Sequence, residues 1–274
     1  MTEVLPMGEA GNYSESAVQR FRNGLLTQTR DYVAEEVPVA LIYNGVPYTV
    51  MLATPDDLED FAVGFSLSEG IVADAGQISL REIRRQEKGV EVWLKIPGDN
   101  FRALSQRGRS MAGRTGCGLC GTNSLDEAVR TPSPVGDGVR VATESVARAL
   151  ESLKEGQTLN GVTGAVHGAA WANLDGEIQF IREDVGRHNA LDKLIGALVK
   201  HAVDLKNGFV VVTSRASYEM VQKTATAGIA LLAAVSAPTG LAIRLAEACG
   251  LTLVGFARGR DHNVYSHPQR LFYH

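Results

Sequence analysis

Two cysteines have the residue type and spacing best suited to chemistry: Cys117 and Cys120, in the stretch AGRTGCGLCGT at residues 112–122. A Cys-x-x-Cys pair of this kind can bind a metal, close a disulfide or act as a sulfur nucleophile. The stretch contains too many glycines for a stable helix, which predicts a mobile surface loop. Four arginines and no acidic residue lie between Phe101 and Gly121, and nearby positive charge favours the reactive thiolate over the thiol.

The cysteine spacing leaves several interpretations open. A zinc site needs two further ligands, and the chain has no second Cys-x-x-Cys. A thioredoxin-like redox pair would stand at the start of a helix that follows a strand, and two structural thiols in a turn are also common. A nucleoside deaminase is excluded, because no proline precedes Cys117 and no histidine begins a His-x-Glu motif. The histidines available to a zinc site are His167, His188, His262 and His267.

A fourth interpretation uses the cysteines as nucleophiles. A thiolate on a flexible arm is suited to accept a sulfur atom as a persulfide from one protein and to offer it inside another pocket. The second cysteine could then shelter, relay or resolve that sulfur.

Composition limits the classes of partner. The 274-residue chain has 27 basic and 31 acidic side chains and a formal net charge of −4, which argues against sequence-independent binding to nucleic acid or to an anionic membrane. Its first residues lack the pattern of a secretory signal, and no apolar run is suited to span a membrane. Only three cysteines occur, so we expect a cytoplasmic protein with reduced thiols.

The first half of the chain predicts a smaller α+β domain. Residues 1–15 are expected to form a flexible tail and residues 16–130 the domain that carries the cysteines. Within it, Asn44-Gly45 predicts a β-hairpin over Val37 to Ala53. A helix is expected to follow, with Thr54 as its N-cap, an apolar face packed on the hairpin sheet and an end at Gly70. Residues 131–138 contain two prolines and two glycines and are predicted to be a linker.

The second half, residues 139–274, alternates strand and helix patterns. It predicts a three-layer α/β/α domain with a mixed, mostly parallel sheet. Ligands of such sheets bind beyond the carboxyl ends of the strands, where helix N-termini point their N–H groups outward. The segments expected there are small or basic, as an anion requires: Thr213-Ser214-Arg215, Ser236 to Thr239 and Phe256 to Arg260.

Several side chains near these ends are candidates for binding an anion. Arg187 and His188 begin a helix in REDVGRHNALDK, where they form either a solvated first turn or an anion contact. Ser214 or Ser217 is expected to cap a helix, to bind phosphate, or both, and Arg215 stands beside them. Arg258 and Arg260 flank a glycine in a loop suited to a pyrophosphate. His167 and Cys249 are expected to be core residues.

Five ordered motifs carry a resemblance to a known family: RTGCGLCG, EDVGRHNALDKLIG, SRASYEMVQK, SAPTGLA and LTLVGFARG followed by NVYSHPQR. From about Val37 to the C-terminus the chain resembles the formate dehydrogenase accessory sulfurtransferases, the FdhD family. The resemblance implies a fold similar to cytidine deaminases with an added smaller domain. It also implies a sulfurtransferase that takes sulfur from a cysteine desulfurase and delivers it to the bis-molybdopterin guanine dinucleotide molybdenum cofactor of formate dehydrogenase.

The resemblance also implies roles for particular residues. Cys117 is expected to form the persulfide with Cys120 as its companion. The stretch Phe256, Ala257, Arg258, Gly259, Arg260 and Asp261 is expected to bind the cofactor. Their own positions at the strand ends, rather than the resemblance, predict Arg187, His188, Ser214 and Arg215 as further contacts. Family members often have Arg-Phe before Asn-x-Tyr, whereas this chain has Asp261-His262 before Asn263.

The alternative of another class is a non-catalytic cofactor chaperone of formate dehydrogenase with structural cysteines. A permanent metal is not expected, and the sequence leaves a homodimer open.

Overall fold

The computed structural model of the protein describes residues 11–108, 130–137 and 139–273. Cys117, Cys120 and the surface loop predicted around them lie outside those ranges. None of the described helices has the length and hydropathy that a membrane crossing requires.

A long two-stranded hairpin opens the described chain. Strand β1 (Tyr13–Arg22) pairs antiparallel with β2 (Leu25–Ala34). Asn23 and Gly24 turn the chain with φ of 51° and 79°, the positive values that an Asn-Gly turn supplies. Neither strand was predicted from the sequence, because polar residues occupy half or more of the positions in each. Strand β1 begins inside the range 1–15 that was predicted to be a tail.

The second sheet forms the core of the predicted α+β part. Its strands run in the order β4-β3-β6-β5. They are β3 (Val37–Tyr43), β4 (Val46–Ala53), β5 (Ser79–Gln86) and β6 (Gly89–Lys95). The predicted hairpin at Asn44-Gly45 is confirmed by the antiparallel pairing of β3 with β4. A short 3-10 turn (Ala75–Gln77) precedes β5, and helix α2 (Gly98–Gly108) follows β6.

Helix α1 (Leu58–Ser68) packs its apolar face on this sheet, as predicted. The predicted N-cap is wrong: the helix starts after Asp57, and Thr54 instead bonds to Asp184, 130 residues along the chain. Local sequence could not reveal that partner. The opposite side of α1 crosses α5, the helix over Arg187–Lys200. Added Cβ atoms at Gly64 and Gly196 would lie 1.7 and 1.9 Å from backbone oxygens of the facing helix, so both glycines are needed for this close approach.

The large sheet has six strands in the order β13-β12-β11-β10-β8-β9. They are β8 (His167–Asn173), β9 (Ile178–Asp184), β10 (Gly208–Val212), β11 (Leu231–Ala234), β12 (Thr252–Arg258) and β13 (Asp261–Ser266). Strands β10, β11 and β12 run parallel, whereas the other three pairings are antiparallel. The sheet is mixed as predicted, but "mostly parallel" is wrong. Short turns at Gly176 and Gly259, with φ of 81° and 56°, join strand pairs that can only be antiparallel.

Helices cover both faces of the large sheet. One face packs on α5, α6 (Tyr218–Thr226) and α7 (Gly240–Cys249), and the other on α3 (Thr143–Gly156). Alternate residues of β10 contribute to the two cores, Val210 and Val212 to the first and Phe209 and Val211 to the second. The predicted three layers are therefore present, and Cys249 is buried in the first core as expected. A likeness to cytidine deaminases stays a prediction.

Smaller elements complete the described chain: α4 (Thr158–Thr163), a 3-10 turn (Pro268–Arg270), and the parallel pair β7 (Val141–Ala142) and β14 (Leu271–Phe272). Residues 131–137 of the predicted linker form no helix or strand. Their backbone is nonetheless fixed, because the Arg270 guanidinium donates to the carbonyls of Gly136 and Asp137 at 2.8 and 2.9 Å. As a domain boundary this segment stays a prediction.

Candidate functional site

The sheet topology brings the described candidate residues to one edge. Parallel strands β10, β11 and β12 all end at this edge, which we call the carboxyl edge. Strand β9 also ends there and β8 and β13 begin there, since His167 is opposite Asp184, Ala169 opposite Val212, and Asp261 opposite Arg258. All ten described site residues predicted from the sequence follow or border these strand ends. They are Arg187, His188, Ser214, Arg215, Phe256, Ala257, Arg258, Gly259, Arg260 and Asp261.

Helix α5 begins at the carboxyl edge without a side-chain cap. The Asp184 carboxylate accepts from the N–H of Gly186 at 2.8 Å and from the Asn189 amide at 3.0 Å, which fixes the turn into the helix. Among the described residues, Arg187 Nε is buried without a hydrogen-bond partner. An uncapped helix start beside an unpaired guanidinium nitrogen is suited to an anion.

His188 faces the start of the next helix. Its Nε2 lies 2.7 Å from Glu219 Oε2 of α6, and the residue is 9% exposed. One turn further along both helices, Lys223 contacts Asp192 at 3.0 Å. Burial raises the pKa of Asp192, although Lys223 and Ser68 oppose the shift. The ion pair of Lys223 with Asp192 and the close contact of His188 with Glu219 therefore join α5 to α6 beside the site.

The charged motif REDVGRHNALDK is not a solvated first turn, the interpretation that competed with an anion contact. Asp184 and Lys193 are fully buried and 2.7 Å apart. Asp184 Oδ2 also accepts from Thr54 N at 3.0 Å and from Thr54 Oγ1 at 2.9 Å. These charges connect the start of α5 to the end of β4, and the sequence could not show this because Thr54 is distant in the chain.

The loop after β10 leads into α6. Ser214 is 5% exposed, and its hydroxyl donates to the carbonyl of the exposed Arg215 at 3.0 Å. Ser217 occupies the N-cap position of α6, but it makes no capping bond and its Oγ is buried without a partner among the described residues. The second uncapped helix start therefore borders the first.

The neighbouring loop, after β11, caps the helix that follows it and is bonded to the loop after β10. Thr239 Oγ1 accepts from the N–H of Ala242 at 3.3 Å, which caps α7. Ala216 and Pro238 form a parallel bridge, and Thr239 N donates to the Ala216 carbonyl at 3.1 Å. The two loops thus form one rigid frame at the carboxyl edge.

The last part of β12, where its pairing with β13 is irregular, presents an exposed aromatic ring in a strained backbone. Phe256 has φ of 52° and is 46% exposed, an unfavourable combination for a bulky residue without a compensating role. Arg258 and Arg260 are exposed on either side of Gly259. Ala257 is buried at 2% exposure and belongs to the second core, so its side chain supports the turn.

His167 is not the core residue that the sequence predicted. It is half-buried and begins β8 at the carboxyl edge, where its strand position is opposite Asp184. Burial lowers the pKa of His167, and the nearby Arg187 and His188 lower it further. The position of His167 at the start of a strand is the sequence feature from which its place at the carboxyl edge could have been predicted.

A cavity of about 470 Å³ opens beside this site, between β4 and helices α5 and α6. Its apolar wall includes Leu52 and Phe65, and its polar end includes His188, Glu219 and Lys223. The sequence did not predict it because segments that are distant in the chain, in β4, α1, α5 and α6, form it. Within the described ranges, no group of three His, Cys, Asp or Glu side chains is placed to hold a metal ion.

A family model described as the FdhD/NarQ family matches residues 34–272. The chain belongs to the FdhD/NarQ family. It is 56% identical to the sulfur carrier protein FdhD of Cupriavidus necator, over 96% of this chain and 91% of that protein. It is 54% identical to the protein of the same name from Xanthomonas euvesicatoria, over 93% of this chain and 90% of that protein. The resemblance found in the sequence motifs is thereby confirmed.

A solved structure agrees with this membership. The crystal structure of a protein described as a formate dehydrogenase accessory protein, from Desulfotalea psychrophila, superposes with a TM-score of 0.74 and 25% sequence identity. The match covers 96% of this chain and all of that one. That protein thus shares the mixed α/β architecture described above.

Proposed function

We propose that this protein is a sulfurtransferase that carries sulfur for the maturation of formate dehydrogenase. In this proposal Cys117 receives sulfur from a cysteine desulfurase and delivers it to the bis-molybdopterin guanine dinucleotide molybdenum cofactor. One relative is named a sulfur carrier protein, which supports the carriage of sulfur. The protein of the similar solved structure is described as a formate dehydrogenase accessory protein, which supports formate dehydrogenase as the enzyme served. The observation that carries it is the carboxyl edge, which joins two uncapped helix starts and exposed arginines at the place expected for an anionic dinucleotide.

Sulfur uptake is a thiol exchange. The Cys117 thiolate attacks the outer sulfur of the persulfide on the desulfurase, a new S–S bond forms on Cys117, and the desulfurase cysteine leaves as a thiolate. Arg109 and Arg114 lie within eight residues of Cys117 in the sequence, and their charge favours the thiolate that this step requires.

Sulfur release needs a second thiolate. Cys120 attacks the inner sulfur of the Cys117 persulfide, which closes a Cys117–Cys120 disulfide and releases hydrosulfide to the cofactor. A cellular dithiol then reduces the disulfide and restores both cysteines. Cys120 is three residues from Cys117, a spacing that allows such a bond.

The described residues fit the nucleotide part of the substrate. The exposed ring of Phe256 is available to stack on a guanine base. Arg258 and Arg260 beside it, and the start of α5 with Arg187, supply donors for phosphate oxygens. Strand β9, after which α5 begins, is four strands from β12, roughly 19 Å along the edge, enough for an elongated ligand.

Intact-mass analysis tests the proposal directly. After incubation with a cysteine desulfurase and cysteine, the wild type should gain one sulfur atom and Cys117→Ala none. Cys249→Ala is the matched control, because Cys249 is buried in the core, and it should gain sulfur as the wild type does. Absence of any gain on the wild type would refute sulfur carriage.

Two further measurements separate the alternatives. If Cys117→Ala still supports full maturation of formate dehydrogenase, the protein acts as a cofactor-binding chaperone. Stoichiometric zinc in elemental analysis would instead assign the cysteines to a metal site.

A further inference from the structure

The cavity of about 470 Å³ beside the carboxyl edge contains a buried imidazole whose hydrogen-bonding capacity is not used. His188 lines the cavity and is 9% exposed. Its Nε2 lies 2.7 Å from Glu219 Oε2, but this contact is not aligned as a hydrogen bond, and Nε2 has no other partner among the described residues. Because a buried polar group without a partner costs free energy, this nitrogen and the carboxylate beside it are suited to bind a ligand together.

The charges around the cavity make an anion a poor occupant. Four carboxylates line it, those of Glu36, Glu69, Asp192 and Glu219. The ammonium group in the lining belongs to Lys223, and it already contacts Glu69 at 2.8 Å and Asp192 at 3.0 Å. A lining with more carboxylates than cations repels a phosphate and favours a neutral ligand that is rich in hydrogen-bond donors.

The shape and the polar end of the cavity fit a flat heteroaromatic ring. Leu52 and Phe65 form an apolar wall, and cavities of this size hold single small ligands. The Glu219 carboxylate can accept two parallel N–H bonds, and an imidazole that carries its proton on Nε2 donates one. The complementary edge has a carbonyl oxygen, a ring N–H and an amino group in a row. Pterin and guanine both have this amino-oxo edge.

The position of the cavity distinguishes between these two rings. Val185 and Gly186, in the turn into α5, line the cavity. Arg187 follows them at the helix start that we propose for phosphate. The exposed ring of Phe256, which we propose for the guanine base, belongs to β12, four strands away from β9. The guanine end of the dinucleotide is therefore assigned to β12, and the cavity is left for the pterin end.

We propose that this cavity binds the pterin of the molybdopterin guanine dinucleotide, with Glu219 and His188 as the residues that recognise its amino-oxo edge. This site rests on the proposed function. It also agrees with the covalent order of the ligand, in which a pyrophosphate joins the pterin part to guanosine. The start of α5 lies between the cavity and β12, at the place where that pyrophosphate is needed.

Calorimetric titration with free pterin at neutral pH tests the site without any transfer of sulfur. Lumazine is the matched ligand, because it has the same ring system with an oxo group in place of the amino group. That oxygen would face the Glu219 carboxylate and repel it. The wild type should therefore bind pterin more tightly than lumazine by about tenfold or more. Equal affinities, or no binding of pterin, would overturn the proposal.

Glu219→Gln is the informative variant, because it keeps the size of the side chain and removes the carboxylate. It should bind pterin about tenfold more weakly than the wild type and lose most of the preference over lumazine. Glu36→Gln is the matched control, since Glu36 lines the same cavity but is exposed. It should bind pterin as the wild type does. Equal losses in both variants would contradict the specific role of Glu219.

Titration with GDP separates the pterin from the guanine as occupant of the cavity. Phe256→Ala should weaken GDP binding about tenfold and leave pterin binding unchanged, whereas Glu219→Gln should do the reverse. Weaker GDP binding and unchanged pterin binding in Glu219→Gln would assign the cavity to guanine and overturn the proposal. A wild type that binds pterin but gains no sulfur would refute the proposed function alone. One that gains sulfur but does not bind pterin would refute the pterin site alone.

Discussion

Lys193 Nζ lies 2.7 Å from Asp184 Oδ2, and neither side chain is exposed to solvent. The Lys193 ammonium also donates to Thr54 Oγ1 at 2.6 Å, and the Asp184 carboxylate holds the turn into α5 through Gly186. This pair joins the end of β4 to the start of α5. The position of Arg187 and His188 at the carboxyl edge therefore depends on a contact between the two halves of the chain.

Asp184→Asn should lower the free energy of unfolding by about 3–5 kcal/mol, because it leaves the Lys193 ammonium buried without its counter-charge. Urea denaturation followed by circular dichroism measures the change. Glu59→Gln is the control, since Glu59 pairs with Lys200 at 2.6 Å on the exposed surface and should cost less than about 1 kcal/mol. Equal effects of the two substitutions would contradict the structural role given to Asp184.

Gly64→Ala should destabilise the protein by about 1–3 kcal/mol or more, because its Cβ would lie 1.7 Å from the Asp192 carbonyl oxygen in the α1–α5 crossing. Gly161→Ala, in helix α4, has nothing within 4 Å of the new Cβ. It should be neutral or stabilise by up to about 1 kcal/mol. Thermal unfolding of the two variants compares them, and a Gly64→Ala protein as stable as the wild type would show that the crossing can widen at little cost.

Phe256→Gly and Phe256→Ala should separate the effect of the strained backbone on stability from the effect of the ring on ligand binding. Both remove the exposed ring and should weaken GDP binding about tenfold, the order of one lost stacking contact. Phe256→Gly should be more stable than Phe256→Ala by about 1 kcal/mol, because φ is 52° and glycine adopts that conformation without strain. Calorimetric titration and thermal unfolding measure the two effects. Unchanged GDP affinity in both variants would contradict the proposed role of Phe256 in nucleotide binding.

The free energy of unfolding should fall as the pH rises above about 10. Burial raises the pKa of Tyr43 and of Tyr218. Burial alone would lower the pKa of Lys223, but the facing Asp192 and Glu69 carboxylates outweigh it and raise that pKa. Each group keeps its proton in the folded protein to a higher pH than in the unfolded chain, so this stability is present below about pH 10 and is lost above it.

Tyr43→Phe tests this pH dependence because it removes one of the three groups. Its free energy of unfolding should decline less steeply with pH than that of the wild type, and the two slopes should differ by up to about 1.4 kcal/mol per pH unit. Urea denaturation between pH 8 and pH 11 measures the slopes of wild type and variant. Parallel slopes would mean that Tyr43 does not contribute to the alkaline loss of stability.

Local patterns predicted the elements well where apolar residues recur at the spacing of a helix or a strand. The Asn44-Gly45 hairpin, helix α1 and the helices that flank the large sheet follow from signals within one element. The β1–β2 hairpin was missed because its strands are largely exposed and half or more of their residues are polar. The prediction of a mostly parallel sheet was wrong, because the relative direction of two paired strands depends on which strands become neighbours.

The sequence by itself determined the family, the order of most elements and the candidate residues that border the strand ends. Only the tertiary structure decided that Asp184 and Lys193 are buried, that His167 stands at the carboxyl edge and that the Tyr218 hydroxyl is hydrogen-bonded to the backbone of Arg130. The physical reason is distance along the chain. Thr54 and Asp184 are separated by 130 residues and Arg130 and Tyr218 by 88, and no local periodicity encodes contacts of that range.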